Sequence, residues 1–323
     1  MPRLVVPDRE QVRSILNDSY ALWGAGLSLS DYQEMWSELA ESRWGRECYA
    51  WRAWIDDDGR VASSLKLYRP LLRIDDRTAR ACVIGAVYTP RSSRRRGHAA
   101  ALIGAVLEEA AARGDDVGLL FTDIGTDYYA RLGFAPLPCE DALGSLAGAA
   151  ARAPRGVALR PMRAGDLEDV ARAHAAASAE RRLAVVRDRA HWEFLMLRAG
   201  TFFRRLDGTD LSRRFMIAED TSGPLGFVVS VSGPGEWNLR EAAAYDGSEE
   251  TLARVLAAAA AQAAGAGATT VWGWIPRSLW PLVPEWRLRP QPRQRAIPMI
   301  RPPLAAHPER ASDEHFIPYL DQF

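Results

Sequence analysis

A run of basic residues between an apolar segment and an Ala-rich segment is the part of this sequence best suited to chemistry. It reads Arg94-Arg95-Arg96-Gly97-His98-Ala99. A glycine at such a junction lets an anion approach the main chain, and the free N–H groups of a first helical turn can bind that anion. Three arginines add positive charge at the same place. The run therefore predicts a pyrophosphate site, and a solvated basic loop is the alternative interpretation.

The segments on either side of this run predict the elements that hold it. Ala81 to Val87 has the composition of a buried strand, and Thr89-Pro90-Arg91-Ser92-Ser93 cannot continue that strand. Downstream, the apolar residues between Ala99 and Ala110 recur with helical spacing. The loop is therefore expected to connect the end of a strand to the N-terminus of a helix.

Two short motifs in this region resemble those of one enzyme superfamily. The loop lacks the Lys-Ser/Thr ending of a P-loop and the three glycines of a dinucleotide fingerprint. Its pattern Arg94-x-x-Gly97-x-Ala99 instead resembles the acyl-CoA loop of the GCN5-related N-acetyltransferases (GNAT). After a further predicted strand at 117–121, the segment Tyr129–Phe134 resembles the Tyr-x-x-x-Gly-Phe segment of the same superfamily. Both motifs occur in the order that the superfamily has.

This resemblance implies that acetyl-CoA is the acyl donor, and it assigns residues to it. In the superfamily the strand before the loop pairs with the pantetheine arm, and the loop amides bind the pyrophosphate. One extra residue between Pro90 and Arg94 leaves the register of the strand open by one position. The resemblance implies three cofactor-binding positions at the strand end and six in the loop: Val87, Tyr88, Thr89, Arg94, Arg95, Arg96, Gly97, His98 and Ala99.

The resemblance also implies catalytic residues. Tyr129 holds the motif position of the tyrosine that faces the thiolate sulfur in many members, so it is the implied general acid. Packing in the core is the alternative for Tyr129, and Tyr128 is the competing tyrosine. The family's strand glutamate, which often serves as the base, has no counterpart between Ala81 and Val87.

Two other groups are candidates for the base. Tandem chains of this kind resemble the Eis-type acetyltransferases, in which the C-terminal carboxylate enters the active site, and this implies the carboxylate of Phe323 here. The apolar tail that precedes Phe323 also favours docking. Asp123 follows a predicted strand and could orient the acceptor ammonium or a water molecule, or it could cap the next turn. Glu34 and Trp36 could reach an acceptor cleft, and core packing is the alternative for Trp36.

The order of predicted elements occurs twice, which predicts a mixed α/β fold with two tandem GNAT-like domains. A helix begins after Asp8, with Gln11 at the reciprocal capping position, and Ser30 with Gln33 repeats the pattern. The expected divisions are a catalytic domain at 1–140, an Ala/Gly/Pro-rich linker at 141–156, a degenerate domain at 157–300 and a tail at 301–323 that enters the active site.

The second half carries acidic residues where the first has its arginine loop. Asp246-Gly247-Ser248-Glu249-Glu250 would stabilise a helix N-terminus but repel a pyrophosphate. This half is therefore expected to leave CoA unbound and to wall the acceptor pocket or form a homo-oligomer contact. The short segments 122–125 and 298–304 resemble segments of the fungal lysine N-acetyltransferases. This resemblance implies a small lysine-like or polyamine-like acceptor, and a peptide amine is the other possibility.

Composition limits the class of partner. The formal net charge of zero argues against nucleic acid or an anionic membrane as partner. Cys48, Cys82 and Cys139 are isolated, and neither they nor the five histidines have the spacing of a metal site. The chain lacks an apolar run of signal-peptide or membrane-spanning length, so a cytoplasmic location is expected. A non-catalytic acyl-CoA sensor or interaction module on the same fold is the alternative to an N-acetyltransferase.

Overall fold

Two mixed β-sheets, each flanked by helices, make up the part of the chain that this computed structural model describes. That part covers residues 2–75, 77–115, 117–207, 215–233, 235–302 and 315–316 of the 323. One sheet has ten strands and the other seven within the described residues. The prediction of a mixed α/β fold with two tandem GNAT-like units is confirmed.

The first half of the chain supplies most of the ten-stranded sheet, which we call the front sheet. Its strands are β1 (Arg3–Val5), β2 (Tyr49–Ile55), β3 (Val61–Tyr68), β4 (Leu71–Ile74), β5 (Arg77–Tyr88), β6 (Val117–Thr122) and β7 (Ala135–Pro136). Its helices are α1 (Arg9–Trp23), α2 (Leu29–Glu41), α3 (Arg43–Cys48), α4 (His98–Ala112) and α5 (Asp127–Ala130).

The remaining elements form the seven-stranded rear sheet and complete the front one. The strands are β8 (Glu140–Ser145), β9 (Ala158–Pro161), β10 (Leu183–Val186), β11 (Phe215–Asp220), β12 (Gly223–Gly233), β13 (Glu236–Ala244), β14 (Thr270–Gly273), β15 (Arg289–Pro292), β16 (Ile297–Arg301) and β17 (His315–Phe316). The helices are α6 (Leu167–Ala177), α7 (Arg189–Asp207) and α8 (Glu249–Gly265).

Each half of the chain contributes strands to the sheet of the other half. β16 pairs antiparallel with β6 and with β7 in the front sheet, so that Met299 lies opposite both Leu120 and Pro136. β8 in turn pairs with β14 and β15 in the rear sheet. Each half of the chain therefore completes the sheet of the other.

Sheet membership consequently does not follow the predicted division of the chain. The segment 141–156, predicted to be a linker, begins inside β8, and β16 falls within the predicted rear domain at 157–300 although it lies in the front sheet. β10 adds a further rear-half strand to the front sheet beside β4, and β17 pairs with β10. The domain boundaries remain a prediction.

The helices between the two sheets share one core with both. Side chains of α1, α2, α6 and α7 pack with residues from the inner faces of the front and rear sheets; examples are Leu39, Trp192, Val83 and Phe227. α4 covers the outer face of the front sheet, where it packs on Leu65, Leu67 and Ile84. α8 covers the outer face of the rear sheet in the same way. We use "inner" and "outer" in this sense below.

The helix starts follow local capping chemistry, with one correction. Asp8 caps α1 and Gln11 returns the bond, with distances of 2.8 and 3.0 Å, as predicted. The predicted cap Ser30 of the next helix is wrong, because α2 begins at Leu29 after Ser28. The Ser28 hydroxyl accepts from the Asp31 amide at 3.1 Å and donates to the Asp31 carboxylate at 2.6 Å. Among the helices described, none has the length and hydropathy to cross a membrane.

Candidate functional site

The front sheet contains a gap between β5 and β6. These parallel strands pair from Ala81 with Val117 to Ile84 with Leu120. β5 then continues to Tyr88 with no ladder partner on the β6 side among the described residues. We call this gap the notch. Because the backbone groups of an unpaired strand edge can bind an extended ligand, residues 85–88 offer a place for a pantetheine-like chain.

A β-bulge shapes the wall of the notch. On the β3 side, Lys66 pairs with Gly85 and Ser64 pairs with Tyr88, so β5 contains one residue more than β3 between these pairs. Ala86 lies in this stretch with φ +47°. A bulge bends its strand and redirects the backbone groups, which lets β5 diverge from β6 here.

Side-chain bonds fix the strand end where the predicted cofactor residues lie. The Ser63 hydroxyl donates to the Tyr88 carbonyl at 2.9 Å and lies 3.1 Å from the Thr89 hydroxyl. The Arg94 Nε donates to the Thr89 carbonyl at 3.1 Å. Arg94 therefore ties the strand end to the loop that follows it. The structure brings Val87, Tyr88 and Thr89 into one continuous edge with the loop.

The loop after β5 presents an uncapped helix N-terminus. Gly97 is the residue before α4, with φ +80°, and the first backbone bond of the helix runs from the Ala101 amide to its carbonyl at 3.0 Å. The amides of the first turn have no intrahelical partner, and no side chain caps them. A Cβ on Gly97 would meet no atom within 4 Å, so the space in front of these amides is open.

The electrostatics of this terminus favour an anion. Arg94, Arg95 and Arg96 are exposed beside it, His98 is half-buried, and α4 has no acidic residue in its first turn. Positive side chains and the positive end of the helix dipole act in the same direction. The geometry can hold a pyrophosphate next to the notch.

The equivalent terminus in the rear half is already occupied by its own side chains. Ser248 caps α8 by accepting from the Thr251 amide at 3.1 Å, and Asp246 accepts from the Ser248 amide at 2.9 Å. Glu249 and Glu250 fill the first turn. These contacts support the prediction that the rear half leaves CoA unbound.

Tyr129 lies on the outer side of the front sheet, within the cluster that α4 covers. It belongs to α5, is 8% exposed and packs with Ile84 and Leu102. Its carbonyl accepts the amides of Leu132 and Phe134, so the motif closes on itself. Burial, together with the neighbouring Tyr128, raises the pKa of Tyr129 to about 12. The phenol therefore keeps its proton at neutral pH.

Asp123 lies at the end of β6 and faces the rear half. Its carboxylate accepts the Ala296 amide at 2.7 Å. The next turn is held by Thr122, whose hydroxyl accepts the Ile124 amide at 3.2 Å. Asp123 thus joins the two halves at the mouth of a cleft.

This cleft, of about 690 Å³, lies between the end of β6 and the rear sheet. Its lining includes carboxylates, arginines and one tryptophan: Asp123, Asp141, Glu236, Arg240, Arg295 and Trp272.

Other predicted site residues are not brought together with the notch by what the structure describes. Phe323 lies outside the described residues. Trp36 on α2 lies in the inner core, where it covers the amine of Lys66, a buried residue that the sequence interpretation overlooked. One signal for it was present, because Lys66 is the only lysine among 41 lysines and arginines. Among the described residues, no cluster of His, Cys, Asp and Glu could hold a metal ion.

One protein-family model matches part of this chain. The profile of the acetyltransferase (GNAT) domain family matches residues 9–137. No curated protein matches the chain.

Several solved structures share the fold. A probable N-acyltransferase of unknown function from Enterococcus faecalis V583 aligns with 93% of this chain and 72% of its own, at 13% identity and a TM-score of 0.69. A GCN5-related N-acetyltransferase from Kribbella flavida aligns with 93% of this chain and 70% of its own, at 19% identity and a TM-score of 0.66. Eis1 from Mycobacterium abscessus aligns with 93% of this chain and 73% of its own, at 16% identity and a TM-score of 0.61.

At these identities the structural likeness establishes the fold, and the family profile adds the domain type. Both agree with the notch, the glycine-led helix terminus and the Tyr129 segment. Residues 9–137 form an acyltransferase domain of the GCN5-related N-acetyltransferase superfamily.

Proposed function

We propose that this chain transfers the acetyl group of acetyl-CoA to a primary amine of a small lysine-like or polyamine-like molecule or of a peptide. The observation that carries this proposal is the position of the uncapped α4 terminus directly after the open edge of β5. One continuous segment, 85–99, thereby offers strand-like bonds for a pantetheine arm and amides for a pyrophosphate.

Holding the thioester in this way aligns it for attack. The acceptor nitrogen adds to the thioester carbon, the C–S bond breaks, and the departing thiolate needs a proton. Tyr129 supplies this proton, because its phenol stays protonated at neutral pH and lies in the same apolar cluster as Ile84, the last β5 residue before the notch. We propose that the group transferred is acetyl rather than a longer acyl chain.

The cleft between the halves suits a cationic acceptor. Asp123 and Glu236 contribute negative charge, and Trp272 adds an apolar surface. Ammonium groups are favoured beside carboxylates and aromatic faces. We propose that the amine enters here and reaches the notch from the inner side of the front sheet.

The proposal is tested by thiol release from acetyl-CoA with a panel of amines that includes free lysine, spermidine and an N-terminal peptide. Calorimetry measures acetyl-CoA binding in parallel. We expect binding with measurable turnover on at least one amine. Binding without turnover on any amine would favour a non-catalytic acyl-CoA module, and absence of binding would contradict the site itself.

The role of the C-terminal carboxylate is tested separately. If the Phe323 carboxylate is the base, a short tag appended after Phe323 abolishes turnover while acetyl-CoA still binds. Normal turnover of the tagged chain contradicts that role.

Self-association through the rear half and a cytoplasmic location also remain proposals. Light scattering tests the self-association.

A further inference from the structure

The single lysine of the chain is buried at the centre of the front sheet. Lys66 lies on β3 and is 2% exposed. Its neighbours Leu65 and Leu67 pack on the outer side under α4, and side chains alternate along a strand. The amine of Lys66 therefore lies on the inner side, where it meets α2.

Aromatic rings surround this amine. The Lys66 Nζ lies 2.9 Å from the centre of the Trp36 ring, 5.1 Å from that of Trp51 and 5.9 Å from that of Tyr32. None of the described carboxylates forms an ion pair with it. Nearby, the Tyr49 hydroxyl has no hydrogen-bond partner in the described part of the chain. We call the rings of Trp36, Trp51 and Tyr32 the cage.

The type of residue is informative because the chain otherwise uses arginine. Two buried carboxylates, Glu241 and Asp115, have a guanidinium as partner, from Arg187 and Arg69 respectively. A guanidinium stays charged in proteins, whereas a lysine amine readily loses its proton when it is buried. A buried lysine without a carboxylate has the chemistry of a neutral amine, which is a proton acceptor.

The surroundings lower the pKa of the amine. Burial lowers the pKa of Lys66 well below its usual value, and the positive charge of Arg198 on α7 lowers it further. The tyrosines that face it from α2, β2 and β3 (Tyr32, Tyr49 and Tyr68) have pKa values raised by burial, so they remain neutral and offer no compensating charge. The glutamates of α2 are exposed: Glu34, Glu38 and Glu41.

Lys66 is also next to the notch. Across the sheet, Trp51, Lys66 and Gly85 are register partners on β2, β3 and β5. Gly85 is the first residue after the last β5–β6 pair, and it has no side chain to separate the lysine from the gap. Adjacent strands are about 4.8 Å apart, so Lys66 lies one strand away from the wall of the notch.

Acid and base would then approach the thioester from opposite sides. Tyr129 belongs to the outer cluster with Ile84, and Lys66 lies on the inner side. Trp272, which lines the cleft, alternates with Val271 of the outer rear core. It therefore faces the inner side as well. An amine entering through the cleft would meet the face on which Lys66 lies.

We propose that Lys66 is the base that takes the proton from the acceptor ammonium. The inference rests on the proposed N-acetyltransferase function. The neutral Lys66 amine takes one proton from R–NH₃⁺, and the freed lone pair forms the C–N bond. As the C–S bond breaks, Tyr129 gives its proton to the thiolate and recovers one from the acylated nitrogen. Lys66 then releases its proton to solvent, which leaves R–NH–acetyl and free CoA.

The lone lysine makes a direct measurement possible. Protein labelled with [¹³Cε]lysine gives one lysine signal in carbon-detected NMR, and its pH titration is read with and without CoA. We expect the chemical shift of an uncharged amine at pH 7 and a displaced signal when CoA binds. An ammonium shift at pH 7, or a signal that ignores saturating CoA, would overturn the proposal. This measurement needs no acceptor.

Two variants test the role in turnover. We expect Lys66→Met and Lys66→Arg to bind acetyl-CoA with unchanged Kd and to lose about 10²- to 10⁴-fold in kcat, the usual contribution of a general base. Lys66→Met should also lose the acidic limb of the kcat/KM profile, which a purely structural role would not move. Full activity of Lys66→Met with an unaltered pH profile would overturn the inference.

Further arms separate this inference from the proposed function. The acidic limb of the kcat/KM profile can be lost in Asp123→Asn or in the C-terminally tagged chain and remain in Lys66→Met. That result would assign the base to Asp123 or to the C-terminal carboxylate instead of Lys66. If neither Lys66 variant folds, the NMR titration of the unsubstituted chain decides. If no amine is acetylated by the unsubstituted chain, the proposed function fails whatever the state of Lys66.

Discussion

At the scale of single residues, the site depends on how burial sets protonation. Tyr129 lies in an apolar cluster that raises its pKa to about 12, so the phenol has a proton to give throughout the neutral range. In Lys66, burial acts in the opposite direction on a cation and lowers its pKa. We propose that the two groups serve as acid and base from opposite faces of the sheet.

Replacing the acid tests its role. We expect Tyr129→Phe to bind acetyl-CoA with near-normal affinity and to lose about one to three orders of magnitude in turnover, because only the proton donor is removed. Thiol release and calorimetry provide the two readouts.

Tyr128→Phe is the matched control, since Tyr128 is half-buried and packs against the same ring at 5.1 Å. It should keep its turnover. Equal turnover of Tyr129→Phe and the unsubstituted chain would remove Tyr129 from the mechanism.

At the scale of elements, the junction of β5 and α4 combines three local features. A bulge at Ala86 opens the strand edge, Arg94 bonds the Thr89 carbonyl, and Gly97 in the left-handed region starts the helix without a side-chain cap. A serine or aspartate at the cap would stabilise the helix but would also occupy its amides, as Ser248 does in α8. The front half leaves these amides for a ligand.

A glycine-to-alanine pair tests this junction. At φ +80°, Gly97→Ala imposes about 1–2 kcal/mol of backbone strain. We therefore expect acetyl-CoA to bind roughly tenfold more weakly, since about 1.4 kcal/mol corresponds to a factor of ten. Calorimetry measures the Kd.

Gly104→Ala is the control within the same helix. A Cβ there meets nothing within 4 Å, and the position lies in the helix interior. This substitution should stabilise the chain by about 0.5–1 kcal/mol and leave the Kd unchanged. Equal Kd values for Gly97→Ala and Gly104→Ala would show that the backbone at Gly97 is not part of the cofactor site.

At the scale of the whole molecule, the strand exchange makes the two halves interdependent. β6 and β7 do not pair with each other in the structure, because β16 lies between them, and β8 fills the same place in the rear sheet. The helices between the sheets share their core with both halves. A half on its own would expose strand edges and apolar surface.

Fragment complementation tests this interdependence. Cutting the chain after Arg155, between β8 and β9, leaves β8 on the first fragment and β16 on the second. We expect 1–155 alone to be insoluble or unfolded and the two co-expressed fragments to associate and bind acetyl-CoA. Circular dichroism and co-purification follow the result. A folded 1–155 fragment that binds acetyl-CoA would contradict the structural role of β16.

A buried ion pair in the rear half also contributes to the stability of the whole. Glu241 contacts Arg187, and its carboxylate lies 2.7 Å from the His174 ring Nδ1, with all three side chains almost fully buried. Burial opposes ionisation, but the charges of Arg187 and His174 outweigh it and hold the pKa of Glu241 below the ordinary glutamate value of 4.5. The stabilisation by ionised Glu241 is complete above the ordinary glutamate pKa. It is lost as the pH falls through the lower pKa that Glu241 has in the folded chain.

We therefore expect Glu241→Gln to lower the free energy of unfolding at pH 7 by about 3–5 kcal/mol, because it breaks a buried charge pair. Part of the acid sensitivity below pH 4.5 should disappear with it. Glu219→Gln, which weakens a partly exposed pair with Arg160, should cost about 1 kcal/mol or less. Denaturant unfolding at pH 7 and thermal melts below pH 5 measure both, and equal losses would contradict a special role for the buried pair.

The sequence by itself determined what depends on local backbone chemistry. The Asp8 capping box, the glycine before α4 and the Tyr129 segment all involve residues close together in the chain. Turn geometry, capping bonds and side-chain periodicity act over a few residues, so they can be read from one sequence. Ser28 and Ser30 both have the side chain of a helix cap. Only the bond between the Ser28 hydroxyl and the Asp31 amide identifies Ser28 as the cap of α2.

Only the tertiary structure decided which strand joins which sheet and what surrounds the single lysine. β8 and β16 can pair with any free strand edge, and their partners lie more than a hundred residues away along the chain. The cage around Lys66 draws its rings from α2 and β2. Burial in that cage, which no local pattern encodes, lowers the pKa of the Lys66 amine.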